Sequence, residues 1–123
     1  MKSLLLIFLL IFCTNVFADW VLLTRNHYGD SFWYEKKGII KKRDNVWVWL
    51  RTRYPEATKY GHISDKSYFK INCDKYYFQL MSSTYYTDDN WTKEALSEKT
   101  TTEKKKIPPK SMMEMLAKIV CNR

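Results

Sequence analysis

The fold is decided near the C-terminal end by residues 108–121, which read PPKSMMEMLAKIVC. Ser111 followed three residues later by Glu114 predicts a capping box at a helix start, and the two prolines before it prevent an earlier start. Apolar residues recur along one helical face; they are Met113, Leu116, Ala117 and Val120. Because so short a helix is not stable alone in water, this face must pack on another part of the chain.

A secretory leader is predicted at residues 1–18. Lys2 supplies the charged start, residues 3–12 are almost wholly apolar, and Ala18 is a small residue at the cleavage point. The apolar run is too short to span a bilayer, and no other stretch is predicted to do so. Phe12 precedes Cys13 where a lipoprotein signal needs a small residue. We therefore predict cleavage without acylation, which leaves residues 19–123 as one mature domain.

Two cysteines, Cys73 and Cys121, remain after this cleavage. In an exported chain such a pair predicts one disulfide, with no ambiguity of pairing. A bond that closes a loop of about 48 residues contributes roughly 4 kcal/mol of stability on the chain-entropy model. Two cysteines and two distant histidines are too few for a zinc site, and the sequence predicts no metal or cofactor.

The chain between leader and helix has the patterns of short strands. Strands are predicted at residues 20–24, 31–35, 39–40, 46–50, 68–73 and 76–81, with 84–86 extending or following the last. Residues 54–66 are mostly polar and predict a loop. Residues 87–106 predict a long surface connection, with an edge strand or a short helix near 94–97. Several strands followed by one helix indicate an antiparallel α+β fold.

The strand at residues 46–50 is apolar on both faces. One face carries Val46, Val48 and Leu50, and the other carries Trp47 and Trp49. A disulfide from Cys121 would hold the helix on the face that Val46, Val48 and Leu50 share with Ile71 and Cys73. Trp47 and Trp49 would then form either a face covered by loops or an interface for a homodimer or a ligand.

The mature chain is basic. The whole chain has a formal net charge of +8, and removal of the leader leaves about +7. This charge favours anionic partners such as glycosaminoglycan, nucleic acid, anionic lipid or acidic protein. The basic clusters either bind a polyanion or protect turns and sheet edges; they are Lys36-Lys37, Lys41-Lys42-Arg43 and Lys104-Lys105-Lys106.

No catalytic constellation is evident in the sequence. His27 and His62 could serve as the acid and base of a small nuclease, but each lies in a polar segment and nothing brings them together. The tripeptide Asp88-Asp89-Asn90 offers oxygen ligands without the spacing of a calcium loop, and an acidic turn is the alternative. Asn90-Trp91-Thr92 matches a glycosylation sequon.

The order of several motifs resembles the bacterial surface-adhesin protein E family. These motifs are the early Trp20, Tyr34 ahead of Ile40-Lys41-Lys42, the strand 46–50, Ser67 before Cys73, the run 80–86, and Ile107-Pro108-Pro109-Lys110-Ser111 before a helix and Cys121. The chain departs from the family at Arg43-Asp44-Asn45, where the family tends to have glycine. The resemblance implies one antiparallel sheet of about six strands, with one C-terminal helix packed on one face.

The resemblance also implies non-enzymatic adhesion to host matrix proteins such as vitronectin and laminin. The leading interpretation is a secreted or cell-envelope binding protein, located in the periplasm, at the outer surface or outside the cell. The alternatives are a small basic secreted hydrolase of the nuclease type and a periplasmic inhibitor or partner of an envelope protein.

Overall fold

The computed structural model describes residues 19–96 and 103–122. This part of the chain forms one sheet and one helix. The elements are β1 (Trp20–Arg25), β2 (Ser31–Glu35), β3 (Ile40–Lys42), β4 (Asn45–Arg53), β5 (Ser64–Asn72), β6 (Tyr77–Tyr86), β7 (Glu94–Leu96), β8 (Lys105–Lys106) and α1 (Met112–Val120). The predicted leader at residues 1–18 lies outside the described residues and stays a prediction.

The sheet is antiparallel throughout, and its three long strands form its centre. The main path runs β1-β2-β4-β5-β6-β7. The short strand β3 shares one edge of β4 with β2, and β8 shares one edge of β6 with β7. The predicted single sheet of about six strands followed by one helix is therefore confirmed, with two short strands added at its margins.

The alternation predicted for β4 is confirmed by burial and by register. Val46, Val48 and Leu50 are buried, whereas the intervening Trp47 and Trp49 are only half-buried. The buried residues share their face with β5, because Val46 pairs with Ile71, Val48 with Phe69 and Leu50 with Ser67. Consecutive side chains of β4 thus belong to two different surfaces of the molecule.

Helix α1 packs on the face of the sheet that carries Val46, Val48 and Leu50, as its spacing predicts. We call this the aliphatic face. Its four buried residues are Met113, Leu116, Ala117 and Val120, and they join one core with Val46, Val48, Leu50, Ile71, Tyr34 and Ile107. Ser111 caps the start, since its Oγ accepts a hydrogen bond from Glu114 N at 3.2 Å. Glu114 Oε1 lies 3.4 Å from Lys118 Nζ, so the glutamate carboxylate interacts within the helix.

The predicted disulfide joins the sheet to the helix end. The Cys73 and Cys121 sulfurs are 2.00 Å apart, and the two Cα atoms are separated by 5.7 Å. Cys73 follows directly after β5, and Cys121 is the C-terminal capping residue of α1. The bond therefore fixes the end of the helix against the aliphatic face.

The two segments predicted to be loops differ most from the sequence prediction. The loop expected at residues 54–66 ends earlier, because β5 already begins at Ser64. Its first residues are polar but buried: Ser64 Oγ donates to Asp88 O at 2.5 Å, and the Tyr54 hydroxyl donates to the Asp65 carboxylate. The second difference is strand β8, which lies inside the predicted surface connection. The edge strand expected near residues 94–97 is present as β7.

Candidate functional site on the open face of the sheet

The open face is the side of the sheet opposite α1, and tryptophan and basic side chains dominate it. Along β4 it carries Trp47, Trp49, Arg51 and Arg53, all half-buried. The register places Lys70, Tyr68 and Lys66 of β5 opposite the first three. On the other side of β4, Trp33 of β2 pairs with Arg51. The alternation of β4 thus continues into two arginines beyond the two tryptophans.

These side chains stack in an alternating order that we call the aromatic–cation ladder. Its members in spatial order are Tyr68, Trp49, Lys66, Trp20, Arg51, Trp91 and Arg53. At one end the Tyr68 and Trp49 rings have centroids 4.5 Å apart. Lys66 Nζ then lies 4.5 Å from the centroid of Trp49 and 5.9 Å from that of Trp20. The ammonium group therefore bridges two indoles from non-adjacent strands.

Arg51 is the centre of the ladder, since it lies between two indoles. Its guanidinium carbon is 4.1 Å from the centroid of Trp20 and 4.6 Å from that of Trp91. Arg53 lies 4.8 Å from the same Trp91 ring. Each such contact contributes about 0.5–2 kcal/mol, with the larger values where water is excluded. The stack fixes the orientation of the planar guanidinium group.

Trp91 reaches this face from the segment between β6 and β7. Its Nε1 donates to Asp65 O at 2.9 Å and to Thr52 O at 3.3 Å. The segment is closed by Asp88, whose carboxylate accepts hydrogen bonds from the Thr92 hydroxyl and amide and from Lys93 N. These bonds lower the pKa of Asp88 to about 2, the Thr92 hydroxyl contributing most. Trp91 is thus held against the sheet by its own indole and by its loop.

This closure accounts for the acidic tripeptide at residues 88–90. The Asp88 carboxylate is used by its own loop rather than directed at a shared site with Asp89. Across residues 19–96 and 103–122, no three His, Cys, Asp or Glu side chains are grouped so as to hold a metal ion.

Burial changes the charge properties of the two central cations. Burial lowers the pKa of the Arg51 guanidinium, and the charge interactions with Tyr86 and Glu35 partly oppose this shift. Burial also lowers the pKa of Lys66, and repulsion from Arg51 adds to the effect. A cation taken out of water is costly unless an anion is near. The ladder therefore holds positive charge that its aromatic rings compensate only partly.

A cleft of about 190 Å³ opens at the Arg53 end of the ladder. Its lining residues are Trp20, Trp33, Arg51, Arg53 and Trp91. Two buried donors here, Trp20 Nε1 and Arg51 Nε, have no hydrogen-bond partner in the described part of the chain. The cleft thus combines flat aromatic walls with basic groups, and no acidic residue lines it.

Two of the three predicted basic clusters, those at residues 41–43 and 104–106, reach the same end of the sheet. The register forms one cross-strand row in which Lys42 pairs with Asn45, Asn45 with Asn72, Asn72 with Tyr77, and Tyr77 with Lys106. Four strand spacings separate the row ends by about 19 Å. Lys41, Lys42, Arg43, Lys104, Lys105 and Lys106 are all exposed. We call this the basic end; it lies away from the cleft.

The two histidines have different surroundings. His62 is 9% exposed and stacks on Tyr85 with ring centroids 4.9 Å apart. His27 is exposed in the turn between β1 and β2 and lies against Tyr28 at 3.9 Å. No contact between the two imidazoles is found in the described residues, so the geometry does not assemble the pair required by the hydrolase interpretation.

Sequence reasoning placed Trp47 and Trp49 on this face but missed the cleft. Arg51 and Arg53 continue the same alternation two and four residues beyond Trp49, so extending the strand past Leu50 would have found them. Trp91 could not be found this way, because it reaches the sheet from a polar loop. Trp20 and Trp33 required the pairing of β1, β2 and β4.

The comparisons with known proteins agree with this architecture. A sequence model of the family described as surface-adhesin protein E matches residues 20–122. Among solved structures, crystal form II of Haemophilus influenzae protein E superimposes with a TM-score of 0.64 at 19% identity, covering 89% of this chain and 91% of that one. A search of curated protein sequences finds no match. Within the described ranges, no helix has both the length and the apolar character needed to cross a membrane.

Proposed function

Because the chain belongs to the surface-adhesin protein E family, we propose that it is an exported, non-catalytic adhesin that binds host extracellular-matrix proteins through its open face. Vitronectin and laminin are the candidate partners. The observation that carries the proposal is the half-buried row around Trp47 and Trp49. Tryptophan, tyrosine and arginine are the side chains that most often dominate the energy of protein interfaces.

The face has the composition of a binding surface rather than of a second core. Its indoles are half-buried, and their neighbours are the cations Lys66, Lys70 and Arg51. Lysine and arginine can lay their apolar stems over a ring while the charged head stays in water. A partner with acidic and apolar groups would replace that water, and it would gain both aromatic contact and charge pairing.

The test is binding of the mature protein to immobilised vitronectin and laminin, measured by interferometry. We expect Trp47→Ala to weaken binding about tenfold or more, as removal of a hot-spot residue does, with a small change in melting temperature. Tyr60→Ala is the matched control, because Tyr60 is an aromatic residue in the β4–β5 loop that is 71% exposed. Equal binding by wild type and Trp47→Ala would reject the open face as the adhesive surface.

A second copy of the chain is the other partner that this face could bind. A homodimer would cover the same tryptophans on both protomers. Sedimentation equilibrium of wild type and Trp47→Ala distinguishes the two cases. Dimerisation that Trp47→Ala abolishes would assign the face to self-association, whereas a monomeric wild type leaves it available to a host protein.

Polyanion binding at the basic end is a second candidate function. The cross-strand row that joins Lys42 to Lys106 supports it, because two clusters distant in sequence then act on one ligand. We expect the double change Lys42→Gln and Lys106→Gln to lower the salt concentration that elutes the protein from heparin. Lys59→Gln removes one charge in the loop between β4 and β5, and its shift should be well under half of that caused by the double change. A shift of half or more would indicate net charge alone.

Export and the absence of catalysis are the remaining parts of the proposal. Mass spectrometry of protein from its native compartment should give an N-terminus at or near Asp19 without an acyl chain. An acylated Cys13 would instead indicate a lipid-anchored form. If the protein has hydrolytic activity and a folded variant with His27→Ala and His62→Ala loses it, the protein is an enzyme. Capture of one envelope protein in a pull-down with the mature chain would instead support the role of a periplasmic partner.

A further inference from the structure

We propose that the cleft lined by Trp20, Trp33, Arg51, Arg53 and Trp91 binds one carboxylate-bearing sugar residue of an acidic glycan. This inference rests on the proposed function only in taking the open face as the adhesive surface. It names a ligand class for a part of that face distinct from Trp47.

The arginine geometry favours a carboxylate. The Arg51 guanidinium carbon lies 4.1 Å from the Trp20 ring centroid and 4.6 Å from that of Trp91. The N–H groups of a guanidinium lie in its plane and point outward along its edge. That edge matches the two oxygens of a carboxylate. Arg51 Nε is buried and has no hydrogen-bond partner in the described chain, so the remaining N–H groups of its guanidinium are the ones that a carboxylate in the cleft would bind.

The surrounding charges favour an anion over a neutral ligand. Arg53 lines the same cleft, and Lys66 Nζ lies 5.9 Å from the centroid of the Trp20 ring. Glu35 is the acidic group that acts on both Arg51 and Lys66, and it does not line the cleft. An incoming carboxylate would therefore meet two guanidinium groups without a competing carboxylate in the wall.

The shape favours a saturated ring. Trp33 lines the cleft and is not a member of the aromatic–cation ladder, so its flat face can accept the C–H face of a pyranose ring. The volume of about 190 Å³ suits one sugar residue rather than a large fused aromatic ligand. A glycan chain could enter and leave, because the cleft opens on the sheet surface.

The experiment titrates the protein with a hyaluronan tetrasaccharide, which alternates glucuronate and N-acetylglucosamine. Binding is followed by the five tryptophan indole N–H signals in NMR spectra. We expect the Trp20 and Trp91 signals to move with a saturable shift while the Trp47 signal stays in place. Chitotetraose, which is neutral and of equal length, should bind at least tenfold more weakly. Equal binding of the two would overturn the proposal.

Variants identify the site. Arg51→Gln should lower the affinity for hyaluronan about tenfold or more, the range for a charge-assisted hydrogen-bond pair. Arg51→Lys keeps the charge but loses the planar fork, and it should rescue only part of the binding. Lys42→Gln removes the same charge at the basic end and should change the affinity less than twofold. An equal loss in Lys42→Gln would place the glycan on the basic end and reject the cleft.

Two further measurements keep the result decisive. If Arg51→Gln does not fold, Arg53→Gln tests the same cleft from its second guanidinium. A single-stranded oligonucleotide that binds more tightly than hyaluronan would reject the sugar assignment. Matrix-protein binding that depends on Trp47, without any glycan binding, would reject this inference while preserving the proposed function. Failure of matrix-protein binding with intact glycan binding would do the reverse.

Discussion

The two faces of the sheet bury apolar surface by different means. The face under α1 uses aliphatic side chains such as Val48 and Leu116, both 0% exposed, and another element covers them. On the open face, rings and cations of the same sheet cover one another laterally, as Lys66 does for Trp49 and Arg51 for Trp20. Trp47 and Val48 are adjacent in β4, yet Trp47 lies on the open face and Val48 lies under α1.

This difference separates stability from accessibility. Full burial of an aliphatic side chain contributes about 1.5–3 kcal/mol to stability. A side chain buried in this way cannot be reached by a ligand. Cation–aromatic contacts contribute less each, but they leave their groups at the surface and able to exchange a neighbour for a ligand atom. If the two faces divide these roles, substitutions on the face under α1 should cost more stability than substitutions on the open face.

Removal of the disulfide should have the largest effect. The double change Cys73→Ser and Cys121→Ser releases the clamp on the helix and should lower the free energy of unfolding by about 4 kcal/mol on the chain-entropy model. Urea denaturation measures the loss, and wild type treated with reductant should lose a similar amount. A loss below about 1 kcal/mol would mean that packing alone holds the helix on the sheet.

Within the helix, burial should decide the cost of a truncation. Leu116→Ala leaves a cavity under α1 and should cost about 3 kcal/mol. Ile119→Ala changes a residue that is 44% exposed on the same helix and should cost about 0.5 kcal/mol. Denaturant melts of the two variants make the comparison. Similar losses would contradict the assignment of one face of α1 to the core.

Neighbours on β4 test the sheet in the same way. Val48→Ala should cost about 2 kcal/mol because it opens the covered core. Trp47→Ala removes a much larger side chain but should cost about 1 kcal/mol, since the ring is half-exposed and leaves no enclosed cavity. Thermal and urea melts report both. A greater loss for Trp47→Ala would make Trp47 a core residue and remove the basis for an interface.

The smallest expected effect is in the pH dependence of stability. Burial raises the pKa of Asp65, so the folded state holds this proton more tightly than the unfolded state. The resulting stabilisation is complete at pH values below the unfolded pKa of about 3.9, and it is lost as the pH rises through the raised folded value. The stability of Asp65→Asn relative to wild type should therefore increase as the pH rises from about 3.9 through the folded pKa of Asp65.

Asp88 supplies a control of opposite sign. Its folded pKa of about 2 lies below the unfolded value, so its contribution is present above about pH 4 and is lost as the pH falls toward 2. Asp88→Asn should flatten the acid side of the stability curve. A difference curve for Asp65→Asn that stays level with pH would show that Asp65 has an ordinary pKa in the folded protein.

The aliphatic face and the helix on it were largely predictable, because their apolar residues recur at the regular spacings of a strand and a helix. The spacing of Leu116 and Val120, the alternation through Val48, and the two mature cysteines each indicate the same side of the sheet. The sequence pattern was wrong where burial involves polar groups. Ser64 and Asp65 read as loop, but hydrogen bonds to Asp88 O and from Tyr54 let them enter a buried strand end.

The open face was predictable only in part, because it is assembled from five separate segments. Alternation places Trp47 and Trp49 on it, yet the cleft also needs Trp20 and Trp33 from paired strands and Trp91 from a loop. The contact of Trp91 depends on its Nε1 bonds to two backbone carbonyls. No period in the sequence encodes such a contact, since any exposed tryptophan in a polar tract has the same local pattern.

The position of the disulfide has a mechanical consequence. If an adhesin is stretched between Trp20 and Asn122, tension reaches Cys121 and passes through the sulfur bridge to Cys73, 48 positions earlier in the chain. Strands β6, β7 and β8 and helix α1 lie inside that closed loop and carry no load. Force would peel β1 and β2 from β4, and the fully extended chain would be shorter by about 160 Å than its reduced form. The cleft, whose walls belong partly to β1 and β2, would therefore open early under shear.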